Sequence, residues 1–122
     1  MGSLDQHRIL VVEDEFILAR GLSRALEELD AIVLGPDSSI KTALDRVERE
    51  HRIDVAVLDV NLNGEFSFPV ADALIARRIP FIFVTGYDEA VTRDRYPDVP
   101  KCNKPYVIGS LLTMIQAALS RQ

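Results

Sequence analysis

One pattern constrains this chain more than any other. A short apolar run rich in β-branched residues is followed by a stretch whose apolar residues recur every three or four positions, and this happens five times. The first run is Arg8-Ile9-Leu10-Val11-Val12, which ends abruptly in acid. Ile17, Leu18, Leu22, Ala25, Leu26 and Leu29 then follow on one face of a helix. Residues 31–34 predict a second strand, stopped by Gly35-Pro36. Asp37, Ser38 and Ser39 offer helix caps, and Ile40, Ala43, Leu44 and Val47 give the next amphipathic helix. Residues 53–58 predict a third strand, again ending in acid at Asp59, with Asn63-Gly64 as a turn signal in the loop beyond. Val70, Ala71, Leu74 and Ile75 make a third helix, and Pro80 opens a fourth strand over 81–84. Residues 88–96 predict a short helix ended by Pro97, and a fifth strand lies near 99–102. Val107, Ile108, Leu111, Leu112, Ile115, Ala118 and Leu119 form the buried side of the last helix.

Strands apolar on both faces, alternating with amphipathic helices, imply an α/β fold whose parallel sheet is covered on both sides. The crossovers are expected to be right-handed. At 122 residues the chain fits one compact domain, read as residues 8–122, with residues 1–7 as a flexible start. Several function classes recede on composition. No apolar run approaches the roughly 20 residues of a membrane span, and the N-terminus lacks a secretory pattern. The lone Cys102 cannot make an internal disulfide; it reads as a small buried hydrophobe, and a reducing cytoplasm fits. A formal net charge of −5 argues against direct nucleic-acid binding.

In such sheets, ligands bind at the carboxyl ends of the strands. There the chain places Glu13 and Asp14 after the first strand and Asp59 after the third. Thr85 and Gly86 follow the fourth, and Lys104-Pro105 the fifth. Three carboxylates at close range repel one another unless a cation sits among them. An oxygen-only set suits Mg²⁺ or another divalent ion, which keeps some water at about 2.0–2.1 Å. Asp14 and Asp59 would bind it directly, Glu13 through water, and the backbone carbonyl of Asn61 would add a ligand. A carboxylate is also a nucleophile towards phosphorus. Lys104 would supply a second positive charge, Thr85 would hydrogen-bond to a phosphoryl group, and Gly86 would leave room for a donor or water.

Each of these residues has a plainer reading. Asp14 alone caps a helix as readily as it binds a metal. Asp59 alone is a strand-end turn former, and Thr85 a strand-end threonine. Tyr87 and Tyr106 stay open between surface packing and signalling. Phe66 and Phe68 read as loop anchors, and His7 and His51 are too isolated for a metal site.

The runs VVEDE (11–15), LDVN (58–61), VTGY (84–87) and NKPY (103–106) together resemble the response-regulator receiver family of bacterial two-component systems. The resemblance implies a doubly wound, flavodoxin-like sheet of five parallel strands in the order 2-1-3-4-5. It also implies an acidic pair at Glu13 and Asp14, a phosphoacceptor at Asp59, a switch hydroxyl at Thr85 and a phosphate-pairing Lys104, often with a cis bond before Pro105. Such a domain takes its phosphoryl group from a sensor histidine kinase or a phosphotransfer protein. It supports its own phosphotransfer and autodephosphorylation, and signals to a downstream protein. It is a phosphoacceptor rather than an enzyme. The segment PFIFVTGYDE (80–89) is similar to the FATGUY receivers of alphaproteobacteria, with Val84 where that name has alanine. Those receivers commonly work with kinases of the HWE or HisKA2 type.

Two features depart from the family. Its aromatic switch residue, three positions before the lysine, is Lys101 here, and the loop after Asp59 reads NLNGEFSFP in place of the common Met-Pro pair. Other functions compete. A flavin-binding protein of this topology would need Ser, Thr and Gly after the first strand, where Glu13-Asp14-Glu15 stands. An aspartyl phosphohydrolase would need a second Asp at position 61, which is Asn. A receiver-like adaptor that is never phosphorylated, or a receiver cut from a longer regulator, completes the set.

Overall fold

The computed structural model describes residues 2–86 and 90–121. Its elements run β1 (Arg8–Val12), α1 (Phe16–Glu28), β2 (Ile32–Asp37), α2 (Ile40–Arg49) and β3 (Val55–Asp59). After them come β4 (Asn61–Leu62), β5 (Glu65–Phe66), α3 (Phe68–Ala76), β6 (Phe81–Thr85), α4 (Ala90–Arg95), β7 (Lys101–Asn103) and α5 (Ile108–Ser120). Five strands form one parallel sheet in the order β2-β1-β3-β6-β7. With the small β4–β5 pair set aside, this is the 2-1-3-4-5 order expected from the resemblance.

The sheet is covered on both faces because its strands are apolar on both. β3 and β6 are buried at every position. Successive side chains point to opposite sides. Leu10, Ala56, Leu58, Phe81 and Phe83 therefore join α2 and α3 in one core layer. Ile9, Val11, Val55, Val57 and Ile82 join Leu22 and Leu26 of α1 and Leu111 and Ile115 of α5 in the other. The strands finish level with one another: Val12 pairs with Leu58, Asp59 with Val84, and Thr85 with Asn103. That shared finish makes the residues just beyond the strands neighbours.

Strand β2 does not stop at Gly35-Pro36. It runs on to Asp37 through a one-residue bulge, since Leu10 pairs with Leu34 but Val12 pairs with Asp37. Gly35 makes this possible. Its φ is +89°, and a Cβ there would lie 2.9 Å from the Val11 carbonyl oxygen. Both Gly35-Pro36 and Lys104-Pro105 are cis. The turn at Asn63-Gly64 closes a hairpin of β4 and β5, with φ of 54° and 87° at its two residues, as a tight two-residue turn requires. The last strand starts at Lys101 rather than near 99.

The helical stripes hold at their centres and not at their ends. Ile17 is 83% exposed, and Ile75 and Val107 are also exposed. All three lie in or beside terminal turns, where a periodic stripe continues in sequence but the helix has no neighbour to cover it. The segment before Arg8 packs in part. Leu4 is fully buried among the α1 and α5 side chains, and its amide donates to the Leu29 carbonyl at 3.1 Å. No helix among the described residues is long and apolar enough to cross a membrane.

Candidate functional site

Each strand end delivers one part of the site. Beyond β1, the Glu13 amide donates to the Asp37 carbonyl at 3.0 Å, so the extended β2 fixes the backbone where the first acid leaves the sheet. The Glu13 side chain is buried, and its Oε2 accepts from the Glu15 amide at 3.0 Å. Asp14 is half-buried, and its Oδ2 accepts from the Asn63 amide at 2.9 Å. Asp59 closes the central strand with only 4% of its surface exposed. Its Oδ1 accepts from the Asn61 amide at 3.1 Å, and its carbonyl accepts from Ser67 Oγ at 2.5 Å.

The cation comes from beyond β7. The Lys104 amide donates to the Thr85 carbonyl at 2.7 Å. Its Nζ lies 2.8 Å from Asp59 Oδ2, 3.0 Å from Glu13 Oε1 and 3.7 Å from Glu15 Oε1. Asp14, Asp59, Asn61, Gly86, Lys104 and Tyr106 all line an open cleft of about 590 Å³. Thr85 is buried at the end of β6, one residue before Gly86.

Charge is crowded here, and the titration of the groups reflects it. Glu13 is pushed up to about 7, first by burial and then by sharing a hydrogen bond and charge with Asp59; the Glu15 amide and Lys104 pull the other way. Burial alone would lower the Lys104 ammonium, but the hydrogen bonds and charges of Asp59 and Glu13 outweigh it and hold the group well above its ordinary value. Tyr106 rises to about 12, through burial and then the charge of Glu13.

The same crowding suits a hard cation. Glu13, Asp14 and Asp59 each offer one oxygen, and these lie within 4.8 Å of one another. Asn61 lines the same cleft. In a two-residue hairpin Leu62 and Glu65 form the hydrogen-bonded pair next to the turn, and the Ser67 amide donates to the Val60 carbonyl at 2.8 Å one pair further on. The intervening Asn61–Phe66 pair is the open one, so the Asn61 carbonyl is not committed to the ladder. An all-oxygen set of clustered carboxylates fits Mg²⁺ or a similar divalent ion.

Of the residues singled out in sequence, Glu13, Asp14, Asp59 and Lys104 converge, and Asn61 lines the same cleft. Thr85 joins them through its backbone and its neighbour Gly86. Tyr106 lines the cleft, and Tyr87 lies outside the described residues. Sequence reasoning missed Ser67, Asn63 and Glu15, which hold Asp59, Asp14 and Glu13 respectively.

The comparisons with known proteins bear on the family and the fold. Residues 9–99 match the response regulator receiver domain. The sensory transduction protein LytT of Bacillus subtilis (strain 168) is 31% identical over 85 residues, covering 67% of this chain and 35% of LytT. The chain thus spans about a third of the length of the curated relatives it matches. The solution structure of SdrG from Sphingomonas melonis Fr1 is 44% identical with a TM-score of 0.79, covering 98% of this chain and 99% of that one. The BeF3-activated conformation of SdrG from Pseudomonas melonis Fr1 is 40% identical with a TM-score of 0.76, covering 94% and 98%.

Proposed function

The chain belongs to the response regulator receiver domain family, and on that footing we propose that Asp59 is its phosphoacceptor. The observation that carries the proposal is the Lys104 ammonium, 2.8 Å from a buried Asp59 that shares its pocket with two further acids at the end of the central strand. One Asp59 carboxylate oxygen forms the bond to phosphorus as the P–N bond to the donor's histidine breaks, and the electron pair leaves on the imidazole nitrogen. Lys104 pairs with the phosphoryl oxygens, and Thr85 donates its hydroxyl to them. A divalent cation, when bound, offsets the charge that builds on those oxygens. Asp14, Asp59 and the Asn61 carbonyl would hold it directly, and Glu13 through water. The cleft's open mouth beside Gly86 leaves room for the water that would return the domain to its resting state by autodephosphorylation.

Receiver domains pair with histidine kinases or phosphotransfer proteins. For this chain we read the donor as a sensor kinase of the HWE or HisKA2 type, on the resemblance of residues 80–89 to the FATGUY receivers. Phe16 and Ile17, 71% and 83% exposed in the first turn of α1, give the donor an apolar rim beside Asp14 and Glu15 on which to dock. Output passes to a protein target in the cytoplasm, since the net charge of −5 disfavours nucleic acid. The full acid set with its lysine speaks against an adaptor that is never phosphorylated.

Beryllofluoride with Mg²⁺ tests the reading. Amide shifts should move in the residues around Asp59, Thr85 and Lys104 and need both reagents together. No shifts at these positions, or the same shifts with Mg²⁺ alone, would count against it.

A further inference from the structure

The turn of the β4–β5 hairpin reaches into the acid cluster. A two-residue hairpin leaves the amides of both turn residues outside its ladder, to be met by water or by another acceptor. The Gly64 amide finds one locally, in Asn61 Oδ1 at 2.9 Å. The Asn63 amide finds Asp14 Oδ2, at 2.9 Å and 49 residues away in the chain. The Asn63 side chain makes a second long-range bond, from Nδ2 to the Ser38 carbonyl at 3.0 Å, just before the Ser39 cap of α2. One residue thus ties the β1–α1 loop, the β2–α2 loop and the loop after Asp59 together.

We infer that Asn63 is a positioning residue for the metal-binding carboxylate Asp14. Its amide fixes one carboxylate oxygen, and its side chain keeps the turn in place to do so. The inference rests on the metal reading above. Asp14 stands on a loop and is only half-buried, so left alone its carboxylate samples several rotamers. With Oδ2 held by a turn amide, the carboxylate is already oriented, and less order must be imposed when a cation arrives. Turn chemistry accounts for an Asn before Gly64, but it does not account for the bonds to Asp14 and Ser38.

The substitution Asn63→Gly separates the two roles. Glycine accepts the left-handed turn and keeps its amide, but loses the tie to Ser38. Mg²⁺ dissociation constants would be measured by amide NMR titration for the wild type, Asn63→Gly, Asp14→Asn and the double variant. Asn63→Gly should weaken Mg²⁺ binding about tenfold with little change in thermal midpoint. In the Asp14→Asn background the same change should have almost no effect, because the carboxylate it positions is gone. Wild-type affinity in Asn63→Gly, or the same loss with and without the Asp14 carboxylate, overturns the inference and leaves the metal site standing. Wild-type affinity in Asp14→Asn overturns the inference together with the metal reading on which it rests.

Discussion

Lys104 Nζ lies 2.8 Å from Asp59 Oδ2 and within 3.0 Å of Glu13 Oε1, so one ammonium serves two buried carboxylates. The lysine side chain is itself only 16% exposed. Removing it leaves two acids in a pocket with no other paired cation among the described residues. Breaking a buried pair from one side costs more than the pair contributes, typically about 3 kcal/mol. Lys104→Ala should therefore lower stability by about that much in metal-free buffer, read by urea unfolding. Mg²⁺ should recover a good part of the loss. A variant as stable as the wild type without metal would mean that the acids are not held by Lys104.

The raised Glu13 sets the sign of a pH effect. Its folded value is about 7 against an ordinary 4.5, so between these values the folded state holds a proton that the unfolded chain has released. Its contribution is favourable at low pH and is lost as pH rises through that window. The thermal midpoint in chelator should fall from about pH 5 to pH 7, and Glu13→Gln should flatten that slope. Mg²⁺ should raise the midpoint most at the upper end, where Glu13 is charged. A slope unchanged by Glu13→Gln would assign the effect to another group.

The position three before Lys104 is Lys101, and it is engaged. Its Nζ donates to the carbonyls of Tyr96 at 2.5 Å and Val99 at 2.7 Å, closing the turn that follows α4. The Tyr96 ring is buried against Phe68 and Phe83, and its hydroxyl donates to Asp72 at 2.7 Å. An aromatic swing at position 101 is therefore unavailable, and output must leave by another element. α4 has six residues and one buried side chain, Thr92, which makes it the least pinned helix among the described residues. Thr85 moving towards a phosphoryl group should order Gly86 and α4. Hydrogen exchange with and without beryllofluoride should show protection rising there, with a smaller rise in Thr85→Ala. Protection confined to the surroundings of Asp59, or a wild-type response in Thr85→Ala, would refute the route.

The acids and the lysine were legible because a parallel sheet gathers whatever follows its strands along one edge, and Glu13, Asp59 and Lys104 need only their strands to be found. The path of β2 was not. Gly35-Pro36 reads as a strand stop, and only the register against β1 turns it into a bulge that carries Asp37 to the Glu13 amide. Ser67 and Asn63 were missed for a different reason. They act on Asp59 and Asp14 through bonds that use a main-chain carbonyl or amide, across 8 and 49 residues, and such bonds leave no residue pattern. Leu4 was missed because one apolar residue in a polar N-terminus shows no period.

The most direct test of the account is where a phosphoryl group goes. The protein would be treated with acetyl phosphate and Mg²⁺, followed by intact mass, and the modified residue mapped. The account predicts one added phosphoryl group, located at Asp59, lost with chelator present and absent in Asp59→Asn. A phosphoryl mass that Asp59→Asn still gains at the wild-type rate, or that maps to another residue, would contradict it.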